Sequence, residues 1–104
     1  MTTEEANKHA TTIHQMATDW IANKGKMPKY LYLNRDDFYE HEDSITAACW
    51  QYARRWEHVI EPIWDAESPR GMMTMLSADE YLHKSEVVKC LKALQHDPDW
   101  IPNY

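Results

Sequence analysis

Residues 44–64 read SITAACWQYARRWEHVIEPIW, and the periodicity of this stretch decides the fold expected for the chain. Placing successive residues 100° apart puts Ile45, Ala48, Cys49, Tyr52, Trp56, Val59 and Ile63 on one face. Ala47, Gln51, Arg54, Arg55, His58 and Glu61 take the opposite face. Trp50, Ala53, Ile60 and Trp64 widen the apolar sector to roughly half the circumference, well beyond the ~100° stripe of a surface helix. The pattern predicts a central helix that starts near Asp43 or Ser44 and is contacted on two sides. Pro62 is expected to kink or end it, because proline removes a hydrogen bond from the preceding turn. Ser68-Pro69-Arg70-Gly71 follows as a turn.

Upstream, Ala6, Ala10, Ile13, Ala17, Trp20 and Ile21 recur at helical spacing. Thr2-x-x-Glu5 fits a capping box and Gly25 a left-handed stop, so a helix is expected from about 3 to 23. Tyr30-Leu31-Tyr32-Leu33 alternates as a short strand would. Residues 34–43 read as a polar connection holding Asp36, Asp37, Glu40, Glu42 and Asp43. Downstream, Leu76-Ser77-Ala78-Asp79-Glu80-Tyr81-Leu82 parallels Leu33-Asn34-Arg35-Asp36-Asp37-Phe38-Tyr39. Each window offers an extended segment, a cap (Asn34, Ser77), an acid three residues on, and an aromatic, the elements of a capped short helix. Ser85 restarts a helix to about His96 that buries Val87, Val88, Leu91 and Leu94. The tail, 97–104, is expected to be extended, with Trp100 and Ile101 folding back.

These segments predict a mainly α fold, a single domain over 1–104 formed by a bundle of three principal helices with short extended segments. The alternative is α+β, with 29–33 and 72–76 paired as a two-stranded ribbon that would need helix cover.

Composition bounds the function. A chain of 104 residues holds one core, and 43% hydrophobic with 27% charged residues is a globular balance. A net charge of −6 argues against a binder of duplex DNA or anionic membranes, which needs lysine and arginine in excess. Cys49 and Cys90 read as reduced thiols of a cytoplasmic protein. No leader and no long apolar run is seen, so neither secretion nor membrane insertion is expected.

Candidate chemistry is sparse. His58 and Glu61 stand at i, i+3 without a second such pair, and His9 and His14 diverge by about 140° around their helix, so no metal site is expected. Asp36, Asp37 and His41 lie close in sequence, but on a polar connection carboxylates are solvated or capping, so no catalytic residue and no cofactor is expected. With only Gly25 and Gly71, there is no phosphate-cradling loop.

Two binding surfaces remain. The first is a protein-binding surface of Asp36, Asp37, Phe38, Tyr39, Glu40, Glu42 and Asp43 with Trp50 and Trp64, where acids steer and aromatics anchor. Its partner would be another protein with a basic face. The second is a small ligand- or nucleic-acid-binding module, with a homodimer left open, in which Lys24, Lys26, Lys29 and Arg35 interleave with Tyr30 and Tyr32. The acids at 36–43 repel phosphate and disfavour this second surface. The profile of a short, acidic, aromatic-rich chain without a catalytic motif resembles the small accessory inhibitors and adaptors of phages and other mobile elements. That resemblance implies a non-enzymatic factor that blocks a basic surface of a host or defence complex.

Overall fold

The structure, a computed structural model, describes residues 3–102. Helix α1 (Thr3–Lys24) is followed by strand β1 (Tyr30–Asn34), helices α2 (Arg35–Glu40) and α3 (Glu42–Trp56), and strand β2 (Glu61–Asp65). Strand β3 (Met73–Leu76) and helices α4 (Ala78–Leu82) and α5 (Lys84–Gln95) complete the order. The chain is therefore mainly helical, and it carries a small mixed sheet.

Strand β1 is central. It pairs antiparallel with β3, placing Leu31 opposite Met75 and Leu33 opposite Met73, so the ribbon expected from 29–33 and 72–76 forms. Its other edge pairs in parallel with β2, Tyr30 opposite Glu61 through Asn34 opposite Asp65. Alternation along β1 then separates two cores. Leu31 and Leu33, with Met73 and Met75, face Ile13 and Ala17 of α1 and Ile45, Ala48, Cys49 and Tyr52 of α3. Tyr32 and Leu76 face Val88 and Leu91 of α5, joined by Met72, Ile63 and Trp100. The three long helices are thus split across a sheet, α1 and α3 on one side and α5 on the other. This replaces the expected bundle.

The long central helix is the main correction. Helix α3 stops at Trp56, and Glu57 takes a left-handed conformation with φ 53°. Pro62 disfavours continuation of the helix and favours an extended Glu61 before it. It is accommodated on β2, an edge strand where a missing N–H is tolerated. Ile60, Ile63 and Trp64, placed on the helix flank by 100° counting, instead belong to the approach to β2 and to β2 itself. A short run of mixed apolar residues satisfies either period, and burial against β1 decides.

The caps of the short helices hold, but Ser85 does not start the last helix, which begins at Lys84 after His83, and Leu94 and Ile101, expected to be buried or folded back, are exposed. Asn34 caps α2 through its side chain, and Ser77 with Glu80 makes a full capping box on α4. The parallel windows therefore build the same strand–cap–short helix unit. Each unit goes on through a histidine, His41 or His83, that ends the short helix and starts the next long one. Thr2, the expected cap of α1, lies outside the described residues, as does Tyr104. The tail is not simply extended: Trp100 N–H donates to the Asp97 carbonyl at 3.0 Å, and the Trp100 ring packs onto Gly71.

Asp65, at the end of β2, joins the layers. Its carboxylate accepts from Tyr32 Oη at 2.7 Å, Lys84 Nζ at 2.7 Å and the Ser68 N–H at 3.0 Å. Burial opposes its ionisation, but the bonds from Lys84, Tyr32 and Ser68 prevail and hold the carboxyl below its ordinary range. A depressed carboxylate contributes stability that is fully present above the unfolded-state pKa and is lost as pH falls through the lower folded value. Asp65→Asn is expected to cost about 1–2 kcal/mol at pH 7, with the difference from wild type shrinking under strong acid in urea titrations at successive pH values. Separately, Glu57→Gly should raise stability by about 0.5–1 kcal/mol and Glu57→Val should lower it, since only glycine takes a positive φ without strain.

Candidate functional site

The acidic segment, read as a polar connection that opens on a short helix capped by Asn34, is α2, the α2–α3 junction and the first turn of α3, and it is not free. Its residues divide by side. Asp37 is 2% exposed and Phe38 3% exposed. The Asp37 carboxylate accepts from Arg70 Nε at 2.5 Å and from the Gly71 N–H at 2.6 Å, so it ties α2 to the turn before β3. Asp36, Tyr39, Glu40, Glu42 and Asp43 are exposed. Arg70 also reaches Glu40 at 3.1 Å and Asp36 at 3.9 Å, which draws down part of the negative charge expected there.

The two expected tryptophan anchors do not share a helix. Trp64 stands on β2, and its ring stacks on Phe38 at 4.0 Å with 4° between planes. Tyr39 meets the same tryptophan edge-on at 6.1 Å. Trp50 stands on α3, 60% exposed, with the Arg54 guanidinium 4.9 Å over its ring. The structure therefore brings Tyr39 and Trp64 together beside the acids, while it commits Asp37 and Phe38 to the interior.

The Lys/Tyr segment 24–35 divides as well. Tyr32 is buried and donates its hydroxyl to Asp65, so its ring is not presented for stacking on a base. Tyr30 packs against Tyr81 at 5.1 Å, with Lys29 Nζ 5.4 Å over its ring. Lys24 reaches Glu80 at 3.9 Å and Arg35 reaches Asp36 at 3.7 Å, whereas Lys26 is exposed. Among the described residues, no helix is long and apolar enough to cross a membrane.

Comparison with protein-family models, with curated proteins and with solved structures finds no match to this chain. Function rests on the site.

Behind the acids lies a polar recess of about 190 Å³, lined by Glu5, Tyr39, Glu40, His41, Glu42, Asp43 and Ser44. His41 lines it, and the buried His9 lies behind His41 and Ser44. His41 Nδ1 lies 2.9 Å from Glu5 Oε1, and His9 Nδ1 lies 2.5 Å from Ser44 Oγ. The two imidazoles meet edge-on at 4.9 Å. Burial, with the neighbouring His41 second, lowers the His9 pKa and favours a neutral ring. The hydrogen bond with His41 lowers the Glu5 pKa.

Sequence reasoning missed this constellation. The available signal was Glu5 and His9 at i, i+4, one turn apart on one face of α1. Nothing in the sequence said that His41 would come to meet them. His58 and Glu61 do not share a helix: His58 Nε2 bonds the Pro28 carbonyl oxygen at 2.5 Å, and Glu61 starts β2. Of the cysteines, Cys90 is exposed, while burial pushes the Cys49 thiol up to about 12.

Because Asp37 holds the Gly71 N–H and Arg70, Asp37→Ala should destabilise the fold by about 2 kcal/mol in urea unfolding. Asp36→Ala, on the exposed side of the same helix, should change it by less than about 0.5 kcal/mol.

Proposed function

We propose that the protein is a small non-enzymatic interaction factor that presents Tyr39 and Trp64, flanked by acids, to a basic surface of another protein. One observation carries this reading. Tyr39 and Trp64 remain 58% and 38% exposed although Phe38, stacked beneath Trp64, is buried. Large aromatic rings held rigid on a buried neighbour lose little conformational freedom on binding, which is what an anchor requires.

The acids beside them set direction. Asp36, Glu40, Glu42 and Asp43 are exposed on or next to α2, with Arg70 reaching Asp36 and Glu40 and Arg35 reaching Asp36. The excess negative charge speeds encounter with a basic partner and fixes its orientation more than it adds affinity. Such a surface suits an inhibitor that occupies a basic face otherwise used for a nucleic-acid backbone, the role implied by the accessory proteins of mobile elements that the profile resembles. Against the alternative at 24–35 stands the burial of Tyr32, which leaves that segment with cations and one half-buried ring. Strong oligonucleotide binding at low salt would restore it.

The test is a pull-down from the native host with the wild-type chain and two variants, followed by kinetics on the captured protein. Tyr39→Ala/Trp64→Ala should abolish capture of the partner. Glu40→Lys/Asp43→Lys should slow association at least about ten-fold at low salt and leave dissociation nearly unchanged. A partner indifferent to both variants would place the interface elsewhere.

A further inference from the structure

We propose that Glu5, His9 and His41 form a binding site for a zinc-type divalent cation at the base of the recess between α1 and the α2–α3 junction. The site goes beyond the interaction surface: Tyr39, Glu40, Glu42 and Asp43 wall the same recess, but none of the three ligands belongs to that surface. Each of the three residues offers one ligand atom, and these atoms lie within 4.8 Å of one another. Two ligands on a tetrahedral zinc ion lie about 3.4 Å apart, given bonds of about 2.1 Å. The widest pair therefore has to close by up to roughly 1.4 Å, a movement that rotation of the part-exposed Glu5 and His41 side chains supplies.

The supporting residues match what such a site needs. Ser44 Oγ donates to the His41 carbonyl at 3.1 Å and therefore accepts from His9 Nδ1. This places the His9 proton on Nδ1 and the lone pair on Nε2, the tautomer of an imidazole that ligates through Nε2. One hydroxyl thus orients His9 and links it to the backbone of His41. Ser44 is 2% exposed and His9 1% exposed, so this arrangement is held by packing.

The donor set selects the ion. Two imidazoles and one carboxylate suit zinc, cobalt and nickel, whereas calcium and magnesium prefer all-oxygen shells. Glu40, Glu42 and Asp43 line the same recess and raise the local concentration of cations without crowding the ligands. A recess of about 190 Å³ leaves room for water to complete a tetrahedral shell. A bound ion would clamp the first turns of α1 to the start of α3.

The test uses the full chain carrying Cys90→Ser, which removes the exposed thiol as a competing ligand, after chelator treatment and dialysis. Titration with zinc chloride should show one equivalent bound, and cobalt chloride should give visible bands without a thiolate charge-transfer feature. Glu5→Gln and His41→Ala should each weaken zinc at least ten-fold, and Ser44→Ala about ten-fold through misorientation of His9. Circular dichroism confirms that each variant is folded. Glu5 stands in the first helical turn outside the core, so Glu5→Gln decides alone if His41→Ala unfolds. No stoichiometric zinc binding, or binding unchanged in Glu5→Gln, overturns the site.

Discussion

Strand β1 is enclosed on every side, and that constraint organises the molecule. Leu31 and Leu33 need apolar cover on one face, Tyr32 on the other, and both edges carry backbone groups that must be paired away from water. The fold meets all four demands by putting β2 and β3 on the edges, α1 with α3 below, and α5 above. The three helices, each amphipathic, then bury their stripes against the sheet as well as against one another. A five-residue strand thereby sets the positions of helices that make up most of the chain.

Acidic residues in such a small fold are divided between structure and surface. Asp65 gathers Tyr32, Lys84 and the Ser68 backbone at the end of β2, joining β1, β2 and α5. Asp37 does the same for α2 and the turn at Arg70 and Gly71. Each carboxylate satisfies backbone or side-chain donors that would otherwise be desolvated without a partner. The remaining acids stay in water, where their negative charge is free to act on something else.

His41 is where packing and surface meet. It closes α2 and opens α3, so its position follows directly from the length of the short helix. The α4–α5 unit has the same construction, with His83 at the joint. His83, unlike His41, is exposed. What distinguishes His41 is α1, which lies alongside α3 and brings Glu5 and His9 to it. One joint, used twice, becomes a polar constellation in one place because a third helix packs there.

Much was legible from short-range chemistry. Helix α1, the caps at Asn34 and Ser77, the stop at Gly25 and the extended character of the segments near 30 and 75 follow from local propensity and periodicity, which the chain carries in any context, whereas the pairing of those two segments was legible only as an alternative. The course of residues 57–64 was not legible, because Val59, Ile60, Ile63 and Trp64 satisfy a helical and an extended pattern alike, and only the open edge of β1 selects the strand. Nor was the division of residues 36–43 into buried Asp37 and Phe38 and exposed Asp36, Tyr39 and Glu40, since a polar run acquires an inside only when Arg70 and Trp64 arrive from distant sequence. The sequence by itself determined that helices form around residues 3–24, 43–56 and 85–95 and where the short helices are capped, through side-chain period and capping. The tertiary structure alone decided which polar groups meet, because the meeting of Glu5, His9 and His41 depends on long-range burial around β1 and on no local preference of the chain.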